Sequence, residues 1–362
     1  MNPEDTVKKL RSGFTTGACA AAAAKGAALM LVHQISVREV TIELPTGDFA
    51  TFSLSGQNVT SEQATCFVIK DAGDDPDVTN GVEVHATLRR VQDVNNGRLA
   101  GLTIEGGKGI GRVTKPGLAV PPGQWAINPV PRQMIEAAVH KVISSKHKVH
   151  VTISIPDGEE RARKTLNARL GIIGGLSILG TTGIVRPISA KAWTDTLDAA
   201  LDVAKACGCE TVVLSTGRTS ELAAQRWLDK TLPEEAYIMM GDHIAYALRA
   251  CQARGFQLPV ITCQFAKLLK ISCGHENTHA AASELDLAQL LEWGKTGLSE
   301  SACATIASAN TAREIAIASN FDPGLLELVF RHARIAVRNH APEIYPRFLV
   351  ADYSGNCIFD SR

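Results

Sequence analysis

The sequence predicts two domains, an α+β domain over residues 1–160 followed by a doubly wound, mostly parallel α/β domain over residues 161–362. A chain of 362 residues is long enough for two domains. Up to about residue 155 the apolar pattern is that of short strands with few helices, whereas from about residue 170 it repeats strand, glycine-containing loop and helix. Repeated βα units of this kind indicate a parallel sheet with helices on both faces.

The first half is expected to contain two helices among its strands. The alanine-rich segment 17–33 follows Thr15 and Thr16, which can cap a helix, and alanine is the strongest helix former. A second helix is expected at 131–146, where Pro131 suits the first turn. Strands are expected at 37–45 and 49–55, paired around the turn at 46–48, and at 65–70, 82–91, 99–106 and 148–156.

The second half is expected to consist mainly of βα units. An apolar strand ending in Gly, Ser, Thr or Asp comes before each helix. The expected strand and helix pairs are 174–183 with 190–208, 211–220 with 221–230, and 236–243 with 244–255, followed by a strand at 258–265. Residues 285–339 are expected to be mostly helical, and 347–360 to form a closing hairpin around Gly355.

The composition argues against a nucleic-acid or membrane partner. Lysine plus arginine equals aspartate plus glutamate at 37 each, so no overall field favours an anionic polymer or surface. Aromatic residues make up only 5% of the chain, which is few for a base-stacking platform. No apolar run reaches the about 20 residues that a membrane span needs.

The alanine-rich start must also be weighed as an export signal. Lys25 interrupts its apolar run, and a charge at the centre of a membrane-bound helix costs roughly 3 kcal/mol. Cys19 resembles a lipidation site, but Thr16 stands where a bulky aliphatic residue is expected. Nine scattered cysteines, of which only Cys207 and Cys209 are close together, are typical of reduced thiols. We therefore expect a cytoplasmic protein.

Three loops that follow expected strands are interpreted as a site for a nucleoside-like cofactor. They are 179–187, 215–221 and 240–243, and the carboxyl ends of parallel strands meet at one edge of the sheet. None matches the dinucleotide fingerprint G-x-G-x-x-G or a Walker loop, so ordinary tight turns remain the alternative. The candidate cofactor-binding residues are Gly180, Thr181, Thr182, Gly183, Ser215, Thr216, Gly217, Gly241 and Asp242.

The segment 70–81 is the densest polar stretch, with aspartates at positions 71, 74, 75 and 77. It does not fit an EF-hand, because Gly81 comes one place late and Ala86 stands where the bidentate glutamate belongs. One interpretation is a turn-rich loop whose aspartates bind backbone N–H groups. The other is an active-site loop, in which Lys70 meets a substrate carboxylate.

Two further segments carry candidate ligand contacts. The segment 126–135 places Asn128 and Arg132 around prolines, and arginine suits bidentate binding of a carboxylate. The segment 270–286, after an expected strand, holds His275 and His279 in a zinc-protease-like H-E-x-x-H string. Its glycine and Asn-Thr pair favour a loop and a helix cap, and no third metal ligand is evident, so zinc, ligand contact and a capped helix start all stay open.

Several long segments together resemble one family. They are "LRSGFTTGACAAAAAKGA", "VIKDAGDDPDVTNG", "GGKGIGRVTKPGLAVPPGQWAINPVPRQMI", "LNARLGIIGGLSILGTTGIVRPIS", "MGDHIAYAL" and "CGHENTHA". In this order they resemble the CbiD family, the cobalt-precorrin-5B C(1)-methyltransferases of anaerobic cobalamin biosynthesis. The resemblance runs from about Leu10 to the C-terminus.

The resemblance implies methyl transfer from S-adenosylmethionine to C-1 of cobalt-precorrin-5B, giving cobalt-precorrin-6A. Cobalt then enters only as part of the tetrapyrrole substrate, and no resident metal is expected. In-line methyl transfer depends largely on alignment and on excluding water, so a strong acid or base is not obligatory. The first domain is expected to hold the macrocycle and the second the cofactor. A homo-oligomer and transient handover to neighbouring pathway enzymes are left open.

The acetate and propionate groups of such a macrocycle call for cationic and polar loop residues, among which Arg112 is also available. The candidate substrate-binding residues are Thr15, Thr16, Lys70, Asp71, Asp74, Asp75, Lys115, Asn128, Arg132, Arg186, His275, Asn277 and Thr278. Asp71 and His279 are the candidate catalytic residues.

Two other functions compete with the methyltransferase. A noncatalytic corrinoid-binding or carrier protein could use the same basic loops, and it would bind a tetrapyrrole without affinity for S-adenosylmethionine. A nucleotide-dependent oxidoreductase could use the doubly wound half, although the dinucleotide fingerprint is missing from the sequence.

Overall fold

The computed structural model describes residues 10–91, 101–144, 147–228 and 231–362. The ends of three expected elements, at 99–100, 145–146 and 229–230, lie outside the described residues. The chain divides into two compact units, Met1–Ser189 and Ala190–Arg362. The boundary follows Ser189 instead of residue 160, because the segment 161–189 pairs with strands of the first unit.

The first unit is built on a five-stranded sheet with order β4-β5-β6-β9-β7. Its pairs are antiparallel except the parallel pair β7–β9. The first unit as a whole contains the strands β1 (Gly13–Phe14), β2 (Glu39–Glu43), β3 (Phe49–Ser53), β4 (Ser55–Val59), β5 (Gln63–Ile69), β6 (Glu83–Arg90), β7 (Leu102–Gly106), β8 (Arg112–Val113), β9 (Val149–Ser154), β10 (Ile172–Ile173) and β11 (Ile184–Val185). Its helices are α1 (Thr16–His33), α2 (Pro129–His140) and α3 (Gly158–Ala162).

Helix α1 is the core of this unit and packs against β5, β6 and α2. Its run of alanines lets neighbouring elements approach closely, and a Cβ on Gly26 would lie only 2.4 Å from Leu54. By length and composition this 18-residue helix could cross a membrane, which the apolar-run argument did not anticipate. However, 78% of it is buried inside the unit. It therefore serves as a core helix.

The alternating pattern of the first half is confirmed by the structure. Strands β2 and β3 form the expected hairpin, in which Glu39–Glu43 pairs with Phe49–Ser53. Helix α2 begins two residues earlier than expected, at Pro129, and ends at His140. Strand β4 was not expected, because its sequence, Ser-Gly-Gln-Asn-Val, has little apolar alternation.

The second unit confirms the doubly wound fold class. Its sheet has the order β13-β12-β14-β15-β16, with the first four strands parallel and the last antiparallel. The elements are α4 (Ala190–Ala206), β12 (Val213–Ser215), α5 (Arg218–Trp227), β13 (Tyr237–Met239), α6 (Ile244–Arg254), β14 (Val260–Gln264), α7 (Phe265–Ser272), α8 (Leu287–Gly294), α9 (Glu300–Ser308), α10 (Ala312–Ala318), α11 (Pro323–His340), β15 (Arg347–Ala351) and β16 (Cys357–Asp360).

Helices cover both faces of this sheet. Val213 of β12 packs with Ala224 and Leu228 at α5, whereas Leu214 joins the core formed with α6, α7 and α11. Successive strand residues point to opposite faces, so α5 lies on one face and the other helices on the opposite one. All nine cysteines of the sequence lie within the described residues, and none of them forms a disulfide.

One expected strand of this sheet is absent from it. The segment 174–183 belongs to the first unit, where Leu176 and Ile178 form isolated bridges with Ile110 and Ile127 and are buried in its core. Its apolar residues therefore fill another core, and the parallel sheet begins only at β12. The loop 179–187 was expected to follow a strand of the parallel sheet. It does not, because the preceding segment belongs to the first unit.

Candidate functional site

The start of α1 is closed by protein groups. The Thr15 Oγ1 accepts from the Ala18 N–H at 3.2 Å, and the Gly17 N–H donates to the Leu179 carbonyl at 3.0 Å. The Thr16 Oγ1 accepts from the Leu179 N–H at 3.0 Å. Thr15 and Thr16 are 5% and 2% exposed. They cap and pack the helix, which differs from the expectation that this turn lines a ligand cleft, because their polar atoms face the protein.

Four of the residues expected to bind cofactor lie beside this turn in the first unit. Gly180 adopts φ +121°, and a Cβ there would lie 2.5 Å from Thr15. The Gly183 carbonyl accepts from the Thr15 N–H at 3.0 Å. Thr181 and Thr182, between them, are exposed. This loop belongs to the first unit, whereas Ser215–Gly217 and Gly241–Asp242 belong to the second.

The aspartate-rich loop uses its carboxylates on the protein itself. Asp71 accepts two hydrogen bonds from the Arg11 guanidinium, the bond from Nη2 being 2.8 Å long. These bonds and the one from the Gly73 backbone N–H lower the pKa of Asp71 to about 2. Asp74 accepts from the Arg11 N–H at 2.7 Å, and Asp75 from the Ile188 N–H at 2.9 Å. This is the turn-rich loop, and a carboxylate of such low pKa is a weak general base.

Lys70 is buried in an ion pair inside the first unit. Its Nζ lies 2.6 Å from Asp77 Oδ2, and only 1% of its side chain is exposed. Thr79 donates to the same carboxylate from its backbone and its hydroxyl. Burial raises the pKa of Asp77, but the hydrogen bonds from Lys70 and Thr79 outweigh that effect and hold the pKa below its usual value. In this structure the Lys70 ammonium therefore has Asp77 as its partner, and its contact with a substrate carboxylate stays a prediction.

The other candidates of the first unit remain closer to solvent. Asn128 is the half-buried cap residue before α2 and makes no side-chain capping bond. Arg132 is half-buried and donates to the Ile104 carbonyl at 3.3 Å, and Lys115 donates to a backbone carbonyl at the same distance. Arg186 is exposed. These side chains stay candidates for contact with an anionic ligand.

In the second unit the chain order creates a switch point between β12 and β14. The chain passes from β12 to β13 on one side and returns to β14 on the other, and ligands of doubly wound sheets bind where the order reverses. Ser215 ends β12 there, fully buried, with no hydrogen-bond partner for its Oγ among the described residues. Because it follows Val213 by two positions, it points to the face covered by α5.

Helix α5 begins at this point without a side-chain cap. Gly217 stands at the cap position, and a Cβ there would meet no atom within 4 Å. The Ser220 Oγ accepts from the Gly217 N–H at 3.2 Å, and the Thr216 N–H donates to the Thr262 carbonyl at 3.1 Å. The first N–H groups of a helix carry partial positive charge, so an open, uncapped start can receive an anionic group.

Asp242 lies at the same edge, after β13, and is held by a charged network. Its Oδ1 accepts from the Thr278 Oγ1 at 2.8 Å and forms an ion pair with Lys267. Burial raises the pKa of Asp242, but the hydrogen bonds from Lys267 and Thr278 outweigh that effect and keep the pKa below its usual value. The Thr278 N–H also donates to the Asp242 carbonyl at 2.9 Å. Asp242, expected to bind the cofactor, and Thr278, expected to bind the substrate, are therefore in direct contact.

The segment that contains His275, Asn277 and His279 is a loop, and it follows helix α7 instead of a strand. The His279 Nδ1 accepts from the Ala281 N–H at 3.1 Å, and the ring is exposed. No group of three or more His, Cys, Asp and Glu side chains in the described residues could hold a metal ion. The geometry therefore favours a capped loop over a zinc helix.

Trp193 is a feature of this edge that sequence reasoning missed. Its Nε1 donates to the Met240 carbonyl at 2.9 Å, and a Cβ on Gly241 would lie 2.8 Å from its ring. The side chain is still 43% exposed, and the His243 ring lies 6.4 Å away. The only available signal was an indole in the first turn of an amphipathic helix, a position that normally indicates packing. At this edge it offers an aromatic surface to a ligand.

The uncapped helix start, the buried hydroxyl and the indole of Trp193 all lie at the carboxyl edge of a doubly wound sheet, the edge at which proteins of this fold class bind small molecules. The family model CbiD matches residues 3–187. A cobalt-precorrin-5B C(1)-methyltransferase of Pelobacter propionicus is 59% identical to this chain, with 98% of this chain and 96% of the relative covered. A second relative of the same name, from Geobacter metallireducens, is 56% identical over 97% of this chain and 99% of the relative.

These relatives establish the class, a methyltransferase. The chain belongs to the CbiD family, which acts in cobalamin biosynthesis. A solved structure, the cobalamin biosynthesis protein CbiD of Archaeoglobus fulgidus, is 28% identical, with a TM-score of 0.38, and the match covers 72% of this chain and 78% of that one.

Proposed function

We propose that this methyltransferase transfers the methyl group of S-adenosylmethionine to C-1 of cobalt-precorrin-5B, giving cobalt-precorrin-6A, in the anaerobic route to cobalamin in the cytoplasm. The observation that carries the proposal is the near-full-length similarity to relatives named for this reaction, at 59% identity for one of them. Cobalt is part of the substrate in this proposal, and no resident metal is needed.

The cofactor is proposed to bind at the carboxyl edge of the parallel sheet in the second unit. The buried Ser215 Oγ without a partner and the open start of α5 after Gly217 suit polar and anionic groups of such a ligand. Asp242 uses Oδ1 for both of its side-chain contacts within the described residues, which leaves Oδ2 for a ligand hydroxyl. Trp193 offers a surface on which an aromatic base can stack.

The chain's part in the reaction is proposed to be alignment and exclusion of water. S-adenosylmethionine supplies an electrophilic methyl group when it is bound. Asp71 is held by Arg11, and the His279 Nδ1 accepts from the Ala281 N–H. Neither residue is therefore proposed as a general base. Asn128, Arg132, Lys115 and Arg186 remain the proposed contacts of the macrocycle.

Calorimetric titration with S-adenosylhomocysteine tests the cofactor half of the proposal. Saturable binding near one site per chain is the expected result. Absence of binding, both alone and with a corrinoid present, would refute the proposal and favour a tetrapyrrole carrier. Binding that appears only with the corrinoid would mean that the macrocycle binds first.

A further inference from the structure

A groove of about 340 Å³ lies in the first unit, and Thr181 is the single candidate residue named above that lines it. It lies between α1, β2 with the turn that follows it, and α2. Its floor is apolar and is formed mainly by Ile42, Leu44, Val130 and Met134. Thr181 reaches it from the exposed loop beside the start of α1. The groove is thus an open seat with a mainly apolar floor.

The rim of this groove carries an excess of positive charge. Lys141 Nζ lies 2.8 Å from Glu43 Oε2 in an ion pair that is about half exposed. Lys25, opposite, donates to the Thr41 carbonyl at 2.6 Å and has no carboxylate within ion-pair distance in the described residues. Burial and the nearby charge of Lys141 lower the pKa of Lys25. The rim therefore carries two ammonium groups and one carboxylate, and that carboxylate pairs with Lys141.

Each ammonium group still has hydrogen-bonding capacity. An ammonium has three N–H donors, and the contacts to Thr41 and Glu43 occupy one on each lysine. Carboxylates that enter the groove can accept from these lysines and offset the repulsion between the two positive charges. Apolar atoms attached to those carboxylates would rest on the floor beneath.

We propose that this groove binds the carboxylate-bearing edge of an amphipathic ring ligand, with the ring on the apolar floor and its carboxylates on Lys25 and Lys141. The assignment rests on the proposed function, in which the ligand is the tetrapyrrole substrate with its acetate and propionate groups. A groove of this size takes one edge of such a macrocycle and leaves the rest of the ring outside it.

Three single variants test the charges. Lys25→Met and Lys141→Met each keep the length of the side chain and remove its charge, and each is expected to weaken binding by roughly three- to tenfold. Glu43→Gln removes the competing carboxylate and is expected to tighten binding about twofold. The matched control is Lys295→Met, because Lys295 forms a similarly exposed ion pair with Glu292 in the second unit.

The binding probe is cobyrinic acid, a corrinoid with free carboxylates, titrated by its visible absorbance at low and high salt. A corrinoid with amide side chains serves as the neutral probe, and it is expected to bind more weakly and with little salt dependence. The KM for cobalt-precorrin-5B is measured in parallel on the same variants, with thermal unfolding as a check that each variant is folded.

Opposite shifts of the lysine variants and Glu43→Gln, with Lys295→Met unchanged, would support the groove. Equal affinities for all the variants, or no binding of cobyrinic acid by the parent enzyme, would overturn it. Turnover by the parent with an unchanged KM in every variant would also overturn it while leaving the proposed function intact. The expected shifts in cobyrinic acid binding without any methyl transfer would support the groove and refute the proposed function.

Discussion

Ser215→Ala removes a hydroxyl whose only use, on our account, is to bind a ligand. The Ser215 Oγ is fully buried without a partner among the described residues. Leaving such a group unpaired costs roughly 1–3 kcal/mol. Its removal is therefore expected to leave the free energy of unfolding of the unliganded protein unchanged or to raise it by about 1 kcal/mol. A structural hydroxyl would give the opposite sign.

Ligand affinity is expected to move the other way. A hydrogen bond between neutral groups contributes roughly 0.5–1.5 kcal/mol, so Ser215→Ala should weaken S-adenosylhomocysteine binding by about two- to tenfold. The assays are urea unfolding monitored by circular dichroism, without ligand, and calorimetric titration with S-adenosylhomocysteine.

Thr262→Val provides the matched control. Thr262 is the residue of β14 paired with Ser215, and its buried Oγ1 donates to the Ser220 carbonyl at 2.9 Å. Its replacement by valine keeps the shape and is expected to lower the free energy of unfolding by about 1 kcal/mol. The reasoning is refuted if Ser215→Ala destabilises the protein as Thr262→Val does and leaves ligand affinity unchanged.

Three other variants have expected outcomes. Gly241→Ala should lower the free energy of unfolding in urea by about 2 kcal/mol, since φ is +62° and a Cβ would lie 2.8 Å from a neighbouring indole ring. Asp71→Asn should reduce kcat by less than about threefold, because a carboxylate whose pKa its Arg11 partner lowers to about 2 is a poor base. Burial raises the pKa of Asp360, but hydrogen bonds from Arg347 outweigh that effect and hold the pKa below its usual value. Asp360→Asn should therefore lower the free energy of unfolding at neutral pH. That stability difference should shrink as the pH of unfolding experiments falls below about 4 and through the lowered pKa.

Matched controls separate these effects from general damage. Gly47→Ala has the same kind of backbone, φ +85°, but nothing within 4 Å of a Cβ, so it isolates the conformational cost. Asp195→Asn breaks an exposed ion pair with Lys191 and should change the pH dependence of stability little. Equal destabilisation by the two glycine variants would contradict the prediction for Gly241→Ala. A loss of kcat of about a hundredfold or more in Asp71→Asn would contradict the prediction that this carboxylate is a poor base. An effect of Asp360→Asn on stability that does not depend on pH would contradict the prediction for that ion pair.

Local pattern was enough to predict most strands of the two five-stranded sheets and most helices. The alternation around the turn at 46–48 predicted the β2–β3 hairpin, and the strand-glycine-helix rhythm predicted β12 to α6. Gly274, at φ +81°, lies in the turn that ends α7. It signals that the His275–His279 string is a loop, as the structure shows.

Other features depended on contacts between distant parts of the chain. The apolar residues Leu176 and Ile178 look like a strand of the parallel sheet, but they pair with segments more than 50 residues earlier, in the first unit. The polar Thr15 and Thr16 look available to a ligand until the backbone of the 177–183 loop satisfies them. Such partners are chosen by tertiary packing, which single-sequence patterns do not encode.

In the candidate sites, too, some features could be predicted from local pattern and others depended on tertiary packing. The turn after β12 and the turn after β13 were expected to lie at one sheet edge, because parallel topology requires it. The contribution of Trp193 and the charged rim of Lys25 and Lys141 could not be predicted, because each forms only when separate elements pack together.

The most direct test of the central claim is a turnover experiment with S-adenosylmethionine that carries a trideuterated methyl group. The purified enzyme is incubated with cobalt-precorrin-5B without oxygen, and the tetrapyrrole is analysed by mass spectrometry and carbon NMR. The expected result is a gain of one trideuterated methyl group at C-1, with one S-adenosylhomocysteine formed for each methyl group transferred. A tetrapyrrole recovered without the label, from an enzyme shown to bind both ligands, would contradict it.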